Sequence, residues 1–384
     1  MKKSLLALAA LATVASAASA QTSLTMYGIA DVGIVRESGN PASPVTKVTS
    51  GISAGSRLGF RGVEDLGGGM AAIFTLETGI NMDTGGAAQG ASAANPNGVL
   101  FARQSFVGLK SSGGTLTLGR QYNPYFYTVN AIDPFGTGHV GNSGNIMAFT
   151  GANGRSSNSV MYASPTFAGF KGELLYQFGE QVGSVQSGRS INGAVSYTNG
   201  PLLIRLASNR SNNDIAGKTS VPVTKNNILG VVYDFKVAKM TAGYATIKGP
   251  IATTLFGTAT PDPYAQEFLG FYKATPYRSA ATVAQYGTPT TYDVRDFLIG
   301  ATIPVGPGNI LASYIRRKDK TATNQGANQA ALGYEYYLSK RTVWYNVYSR
   351  IRNDNGAGYT VGNSGDATAG SGDKAFSTGI RHTF

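Results

Sequence analysis

Connections between the strand-like segments of this chain alternate, short then long. That rhythm restricts the fold more than any other feature. Short turns fall at residues 65–69, 111–114, 165–169, 199–201, 236–238, 304–309 and 339–340. Longer polar or Gly-rich loops separate them, at about 36–55, 83–98, 121–154, 180–189, 211–224, 249–291, 320–326 and 353–373. Seven turns and eight loops make fifteen connections, hence sixteen strands. An even number returns both chain ends to the same side. Short turns at one end and long loops at the other mark an antiparallel transmembrane β-barrel. A soluble sandwich has no reason to sort its connections in this way.

The segments alternate with period two, as strands do. Leu24, Met26, Ala30, Val32 and Ile34 share one face, with Ser23, Thr25 and Asp31 on the other. Leu58 and Phe60 oppose Arg57 and Arg61. Val343, Tyr345 and Val347 oppose Thr342, Asn346 and Arg350, and Phe376, Ile380 and Phe384 oppose Ser377, Arg381 and Thr383. In a membrane barrel the apolar face meets lipid and the polar face meets water. Tyr27, Phe101, Phe178, Tyr233, Tyr244, Tyr334 and Tyr345 suit the aromatic girdles of such a wall. Charged residues make up only 14% of the 384, which fits a wall with one apolar face. Past the N-terminus no apolar stretch reaches the roughly 18 residues of a spanning helix.

The N-terminus is a separate signal. Lys2 and Lys3 precede an apolar run from Leu5 to Ala15, and Ala18-Ser19-Ala20 offers small side chains ahead of Gln21. This is the pattern of a secretory signal peptide, residues 1–20, leaving 21–384 as one barrel domain. Removing two lysines leaves 30 basic against 20 acidic residues, a mature excess of +10. No run of five Lys or Arg occurs, which disfavours nucleic acid as a partner. There is no cysteine, hence no disulfide, thiolate metal site or catalytic thiol.

The loop at 121–154 is far too long for a hairpin. Its glycines at 136, 138, 141, 144, 151 and 154 let it fold tightly. A sixteen-strand barrel is wide enough for a watery lumen, so a loop can fold inward and narrow it. The longer loop at 249–291 carries Tyr264, Phe268, Phe271, Tyr272, Tyr277 and Tyr286 and reads as external, packed over the mouth.

Catalysis has little to work with. The histidines are His139, in the Gly-rich loop, and His382, next to the C-terminus. Gly51-Ile52-Ser53-Ala54-Gly55 matches a nucleophile elbow, but a strand follows it where that motif requires a helix. No cofactor motif is present, and the chain reads as a non-enzyme. Asp354, Asp366 and Asp373 are weak candidates for a loose Ca²⁺, against the simpler reading of a solvated loop.

Several motifs resemble the general porins of Gram-negative bacteria, in the beta-proteobacterial branch. They are Ser23-Leu24-Thr25-Met26-Tyr27-Gly28, the run from Ser56-Arg57-Leu58-Gly59-Phe60-Arg61 to Gly67-Gly68-Gly69, Leu118-Gly119-Arg120-Gln121, and the closing Gly379-Ile380-Arg381-His382-Thr383-Phe384. The resemblance implies a homotrimer of sixteen-stranded barrels in outer-membrane lipid, with the third long loop turned into the lumen. Asp133-Pro134-Phe135-Gly136 stands where some members carry Pro-Glu-Phe-Gly, with Asp for Glu. It also implies three constriction arginines in an anion-selective ladder, which fall by local matching on Arg57, Arg103 and Arg155. Arg57 lies opposite Leu58 and Phe60, and Arg155 opposite Val160 and Tyr162, so period two turns both toward the lumen. The orientation of Arg103 rests on the resemblance.

Arg61 and Arg120 would extend the ladder, and Glu77 and Asp133 would supply an opposing acid. The competing readings are arginines that merely brace the wall on Glu64, Asp65 or Glu77, and an Asp133 that only caps the turn at Pro134. Terminal Phe384 resembles the signal read by the barrel-insertion machinery. The function expected is passive diffusion of ions and small hydrophilic solutes with a bias to anions. The alternative is an adhesin or structural barrel whose loops bind partners.

Overall fold

The computed structural model describes residues 23–39, 44–88, 100–147, 154–212, 223–250, 291–361 and 372–384. The signal segment, Asp366 and the six aromatics expected over the mouth lie outside the described residues.

The strands are β1 (Ser23–Ser38), β2 (Val45–Ser50), β3 (Arg57–Gly67), β4 (Met70–Gly79), β5 (Gln104–Ser111), β6 (Gly114–Tyr122), β7 (Arg155–Ala163), β8 (Phe170–Gln177), β9 (Ser190–Asn199), β10 (Leu202–Ser211), β11 (Thr224–Asp234), β12 (Lys239–Pro250), β13 (Thr291–Val305), β14 (Gly308–Asp319), β15 (Ala327–Tyr337), β16 (Thr342–Asn353) and β17 (Lys374–Thr383). Each pairs antiparallel with its neighbours. The ring closes where β1 meets β17, from Ile29 opposite Thr383 to Ser38 opposite Lys374. Closure matters because a backbone N–H or C=O facing lipid has no water to bond, and a barrel leaves no open edge.

Among the described residues, seventeen segments make sixteen staves. The outer half of β1 pairs with β2 and the inner half with β3, so β2 and β3 are one stave interrupted at residues 51–56. Asp31 holds the interruption: its carboxylate accepts from the backbone N–H groups of Ser53 (2.7 Å) and Ala54 (2.6 Å). The sequence Gly51–Gly55 is therefore a dent in the wall. The seven short turns all connect strands at one end. At the first, between β3 and β4, Gly67, Gly68 and Gly69 take φ of 77°, 61° and 77°, conformations that side chains disfavour.

Helix α1 (Pro124–Ile132) lies in the connection between β6 and β7. Asn123 caps it, its side chain accepting from Phe126 N–H at 2.8 Å, and Pro124 starts it with φ preset. Pro134 prevents its continuation. Tyr125, Val129 and Ile132 fall on one side by i, i+4, i+7 spacing and are buried. That side rests on the inner surface of β8–β12, which places the third long loop inside the barrel.

Outside, the expected apolar row is present. Leu24, Met26, Ile34, Phe376 and Ile380 are all exposed. Inside, β11–β16 depart from expectation. Their inward residues include Ile228, Ala245, Leu298, Ile315, Val343 and Val347, all buried. In β16 the expected faces are reversed. Val343, Tyr345 and Val347 point inward, while Trp344 and Tyr348 are the exposed outer row. Tyr345 is thus not a girdle residue. Its hydroxyl donates to Asp31 at 2.6 Å across the β1–β16 region of the lumen wall. The reason is that the inward loop covers this part of the wall and keeps water from it, so apolar residues are stable on both faces.

Glycines form the seat. An added Cβ at Gly230 of β11 would come within 2.5 Å of the Ile132 Cγ2, and one at Gly243 of β12 would collide with the same side chain. Gly300 of β13 receives Pro134, and Gly333 of β15 faces the Phe135 ring at 3.3 Å. We expect Gly300→Val to lower the unfolding midpoint in guanidinium by an amount equivalent to about 1–3 kcal/mol, the usual penalty for overpacking. An unchanged midpoint would mean that Pro134 is not seated on β13.

Candidate functional site: arginines beside the inward loop

Arg57 enters from the start of β3, Arg103 from the residue before β5, and Arg155 from the start of β7. The structure brings all three together around Glu77 and Tyr122. Glu77 projects from β4 and is buried. It receives Arg103 Nε at 2.8 Å, the Tyr27 hydroxyl at 3.0 Å and Arg57 Nη1 at 3.9 Å. The Tyr122 hydroxyl accepts from Arg103 Nη2 and from Arg155 Nη2, each at 2.7 Å. The Arg155 guanidinium also stacks 4.5 Å from the Tyr122 ring centre. One phenol and one carboxylate thus gather three cations, leaving two positive charges in excess.

The bracing and ladder readings describe the same atoms. Arg103 and Arg155 are nearly enclosed, whereas the side chain of Arg57 keeps 19% exposure and bonds the Gly55 carbonyl through Nε at 2.8 Å. Arg61 is exposed and stacks 4.2 Å from the ring of Tyr27. Arg120 is engaged elsewhere, donating to the Ala102 carbonyl and to Ser157 Oγ. A bulge at Asn158 (φ 48°) shifts the β6–β7 register between Gly119 and Gln121. The alternation from Arg155 to Val160 is broken there, so counting by twos does not carry the orientation of Arg155.

The loop presents aromatic groups to this cluster. Phe126 stacks on Tyr122 with ring centres 4.5 Å apart, and Tyr127 lies 5.9 Å from Tyr122. Tyr127 stays exposed at the edge of this group.

Asp133 does not face the arginines. Its carboxylate accepts from three backbone N–H groups of its own loop: Phe135 at 2.9 Å, Thr137 at 3.2 Å and Ser143 at 2.7 Å. Pro134 and Phe135 anchor on the far wall, and Gly136 takes φ 58° in the turn that Asp133 closes. Further along, His139 donates its backbone N–H to the Ile52 carbonyl, and its Nε2 sits 3.4 Å from Glu335. The Gln329 amide donates to the carbonyls of Gly141 (2.8 Å) and Asn142 (3.1 Å). The loop is therefore tied at both its helix and its tip.

Phe384 lies on the outer surface. Its backbone exchanges hydrogen bonds with Gly28 at 3.0 and 3.1 Å, so the last residue continues the β1 ladder. Asp354 pairs with Arg316 at 2.7 Å. Tyr122, which sequence reasoning did not assign to the site, holds Arg103 and Arg155, and its position directly before the loop was the available signal; Tyr27, expected in the aromatic girdle, instead turns inward and bonds Glu77.

A family model described as Gram-negative porin matches residues 7–377. Outer membrane porin protein 32 of Delftia acidovorans is 32% identical, with 100% of each chain covered. An outer membrane porin protein of Bordetella pertussis is 33% identical over 92% of this chain and 95% of its own. The solved structure of an anion-selective porin from Comamonas acidovorans superposes with a TM-score of 0.72 at 27% identity, covering 95% of this chain and 100% of that one.

We expect Asp133→Ala to leave three loop N–H groups without their acceptor, destabilising the loop by roughly 1–3 kcal/mol. Limited proteolysis should then cut between residues 133 and 143 in the variant and spare the parent. Equal resistance would contradict the role assigned to this carboxylate.

Proposed function

The chain belongs to the Gram-negative porin family and is an outer-membrane channel for passive diffusion; from that premise we propose that it assembles as a homotrimer with a preference for small anions. The observation that carries the preference is the excess of two positive charges where Arg57, Arg103 and Arg155 gather around Glu77 and Tyr122. Arginine stays charged at any relevant pH. A narrow, low-dielectric passage lined by one sign of charge raises the local concentration of the opposite ion. Arg57 offers its partly exposed guanidinium to a passing anion, and the enclosed Arg103 and Arg155 add their positive field from behind it. Arg61, exposed next to this group, extends the positive path. Porins are channels rather than enzymes, and transport here requires no coupling to an energy source.

The anion-selective neighbour and the trimeric arrangement of a further solved barrel, which shares only the fold, are consistent with this reading. Residues 1–20 direct export and are removed. Phe384, exposed at the end of the last strand, serves as the signal for the insertion machinery.

In planar bilayers we expect the reversal potential in a KCl gradient to favour chloride. Arg57→Ala, Arg103→Ala and Arg155→Ala together should move it toward the value of a non-selective pore. Glu77→Gln should move it the opposite way, because it removes the acid that offsets the cluster. Retention of the full anion preference by the triple variant would refute the arginine assignment.

A further inference from the structure

The arginine cluster explains a preference for charge, but the inward loop places a ring beside it that charge does not explain. Tyr125, Val129 and Ile132 bury one side of helix α1 against the wall, while Tyr127, on the opposite side of the helix, stays 36% exposed to the lumen. The hydroxyls of Tyr27 and Tyr122 are bonded within the cluster. Among the described residues the Tyr127 hydroxyl has no hydrogen-bond partner. Its ring therefore contributes little to packing and nothing to the polar network. Its position is nonetheless fixed. The hydroxyl of the adjacent Thr128 donates to the Pro124 carbonyl at 3.0 Å and accepts from Arg205 Nε at 3.2 Å. Arg205 is itself held by Glu173 at 2.6 Å, and Lys171 joins the same carboxylate at 3.0 Å. A capped helix pinned to β8 and β10 thus presents the ring on a rigid support, as a binding group requires.

Cations adjoin this ring. Tyr122, whose hydroxyl gathers Arg103 and Arg155, lies 5.9 Å away between ring centres. Arg57 keeps part of its guanidinium open on the same cluster. Arg61 rests on the ring of Tyr27, is otherwise exposed, and among the described residues pairs with no carboxylate. A small hydrated ion uses the cations and gains nothing from an exposed phenol ring. A flat anion uses both. Its carboxylate meets Arg57, its ring packs offset or edge-on against Tyr127, and a guanidinium plane covers its π face. A neutral aromatic lacks the charge that the arginines attract, and a saturated carboxylate of the same size lacks the π face.

We propose that the constriction is a weak binding site for aromatic carboxylates, and that Tyr127 is the residue that distinguishes them from aliphatic carboxylates. This rests on the anion preference proposed above and adds a class of solute to it. The site is open along the pore axis, so a solute held by one ring contact and one partly exposed guanidinium is retained briefly and released.

The test compares benzoate with cyclohexanecarboxylate, which has the same carbon count and charge but a saturated ring. Each is titrated against the chloride current of single channels of the whole protein in planar bilayers, near neutral pH where both acids are ionised. In the parent, benzoate should halve the current at a concentration at least about three-fold lower than cyclohexanecarboxylate, as one aromatic contact gives. Tyr127→Leu should bring the two concentrations together. Tyr127→Phe should keep them apart, because the ring and not the hydroxyl makes the contact. Equal potency in the parent overturns the proposal whether or not any variant folds. So does a difference that survives in Tyr127→Leu or vanishes in Tyr127→Phe. The two readings fail separately: a parent without chloride preference in a KCl gradient refutes the anion reading beneath this one, whereas chloride preference with equal potency refutes the aromatic site alone.

Discussion

The contact between the inward loop and the glycine-bearing wall of β11–β15 is the interaction on which the interior depends. Ile132, Pro134 and Phe135 settle where Gly230, Gly243, Gly300 and Gly333 leave the wall without side chains. Val129 and Ile132, 0% and 1% exposed, contribute roughly 1.5–3 kcal/mol each through burial. This is a core in the ordinary sense, placed inside a barrel that would otherwise be filled with water. It divides the lumen into an apolar half that the loop covers and a polar half that it leaves to the arginines. Asp133, His139 and Gln329 then fix the loop from its own backbone and from the wall.

The polar half has its own logic. Cations drawn together repel one another, and they are held here by groups of two kinds. Glu77 lowers the total charge, while Tyr122 collects Arg103 and Arg155 without lowering it. A phenol acceptor keeps the excess charge that a carboxylate would cancel. The dent between β2 and β3 serves both halves. Its residues bond Asp31, and the Ser53 hydroxyl accepts from Arg381 at 2.6 Å, while its backbone meets the tip of the loop.

Sequence periodicity is informative where one face meets lipid and the other meets water. Phe376 and Ile380 alternate with Ser377 and Arg381, and they are oriented as alternation implies. It misleads in β16, where Val343, Tyr345 and Val347 are inside and Trp344 and Tyr348 are outside, because the loop makes both environments apolar. The turn-and-loop rhythm survives because turn length does not depend on the lumen. The grouping of Arg57 and Arg103 was legible by motif, and Glu77 was recognised as a possible partner. The orientation of Arg155 was not derivable by counting, since Asn158 adds a bulge between it and Val160. The glycine seats look in sequence like weak points of strands. Only the register shows that four of them meet the same loop. Asp133 was open between pore and turn, and its three backbone donors place it in the turn.

The central claim is that the loop stays on its seat while the channel conducts. A cross-link tests it directly, since the natural chain has no cysteine. An added Cβ at Gly230 would lie 3.8 Å from the Ile132 Cβ, a separation suited to a disulfide. In the double variant Ile132→Cys/Gly230→Cys, the account predicts that the bond forms under oxidising conditions and that single-channel conductance is the same before and after reduction. Failure of the bond to form, or a conductance that changes when it is reduced, would contradict a permanently seated loop.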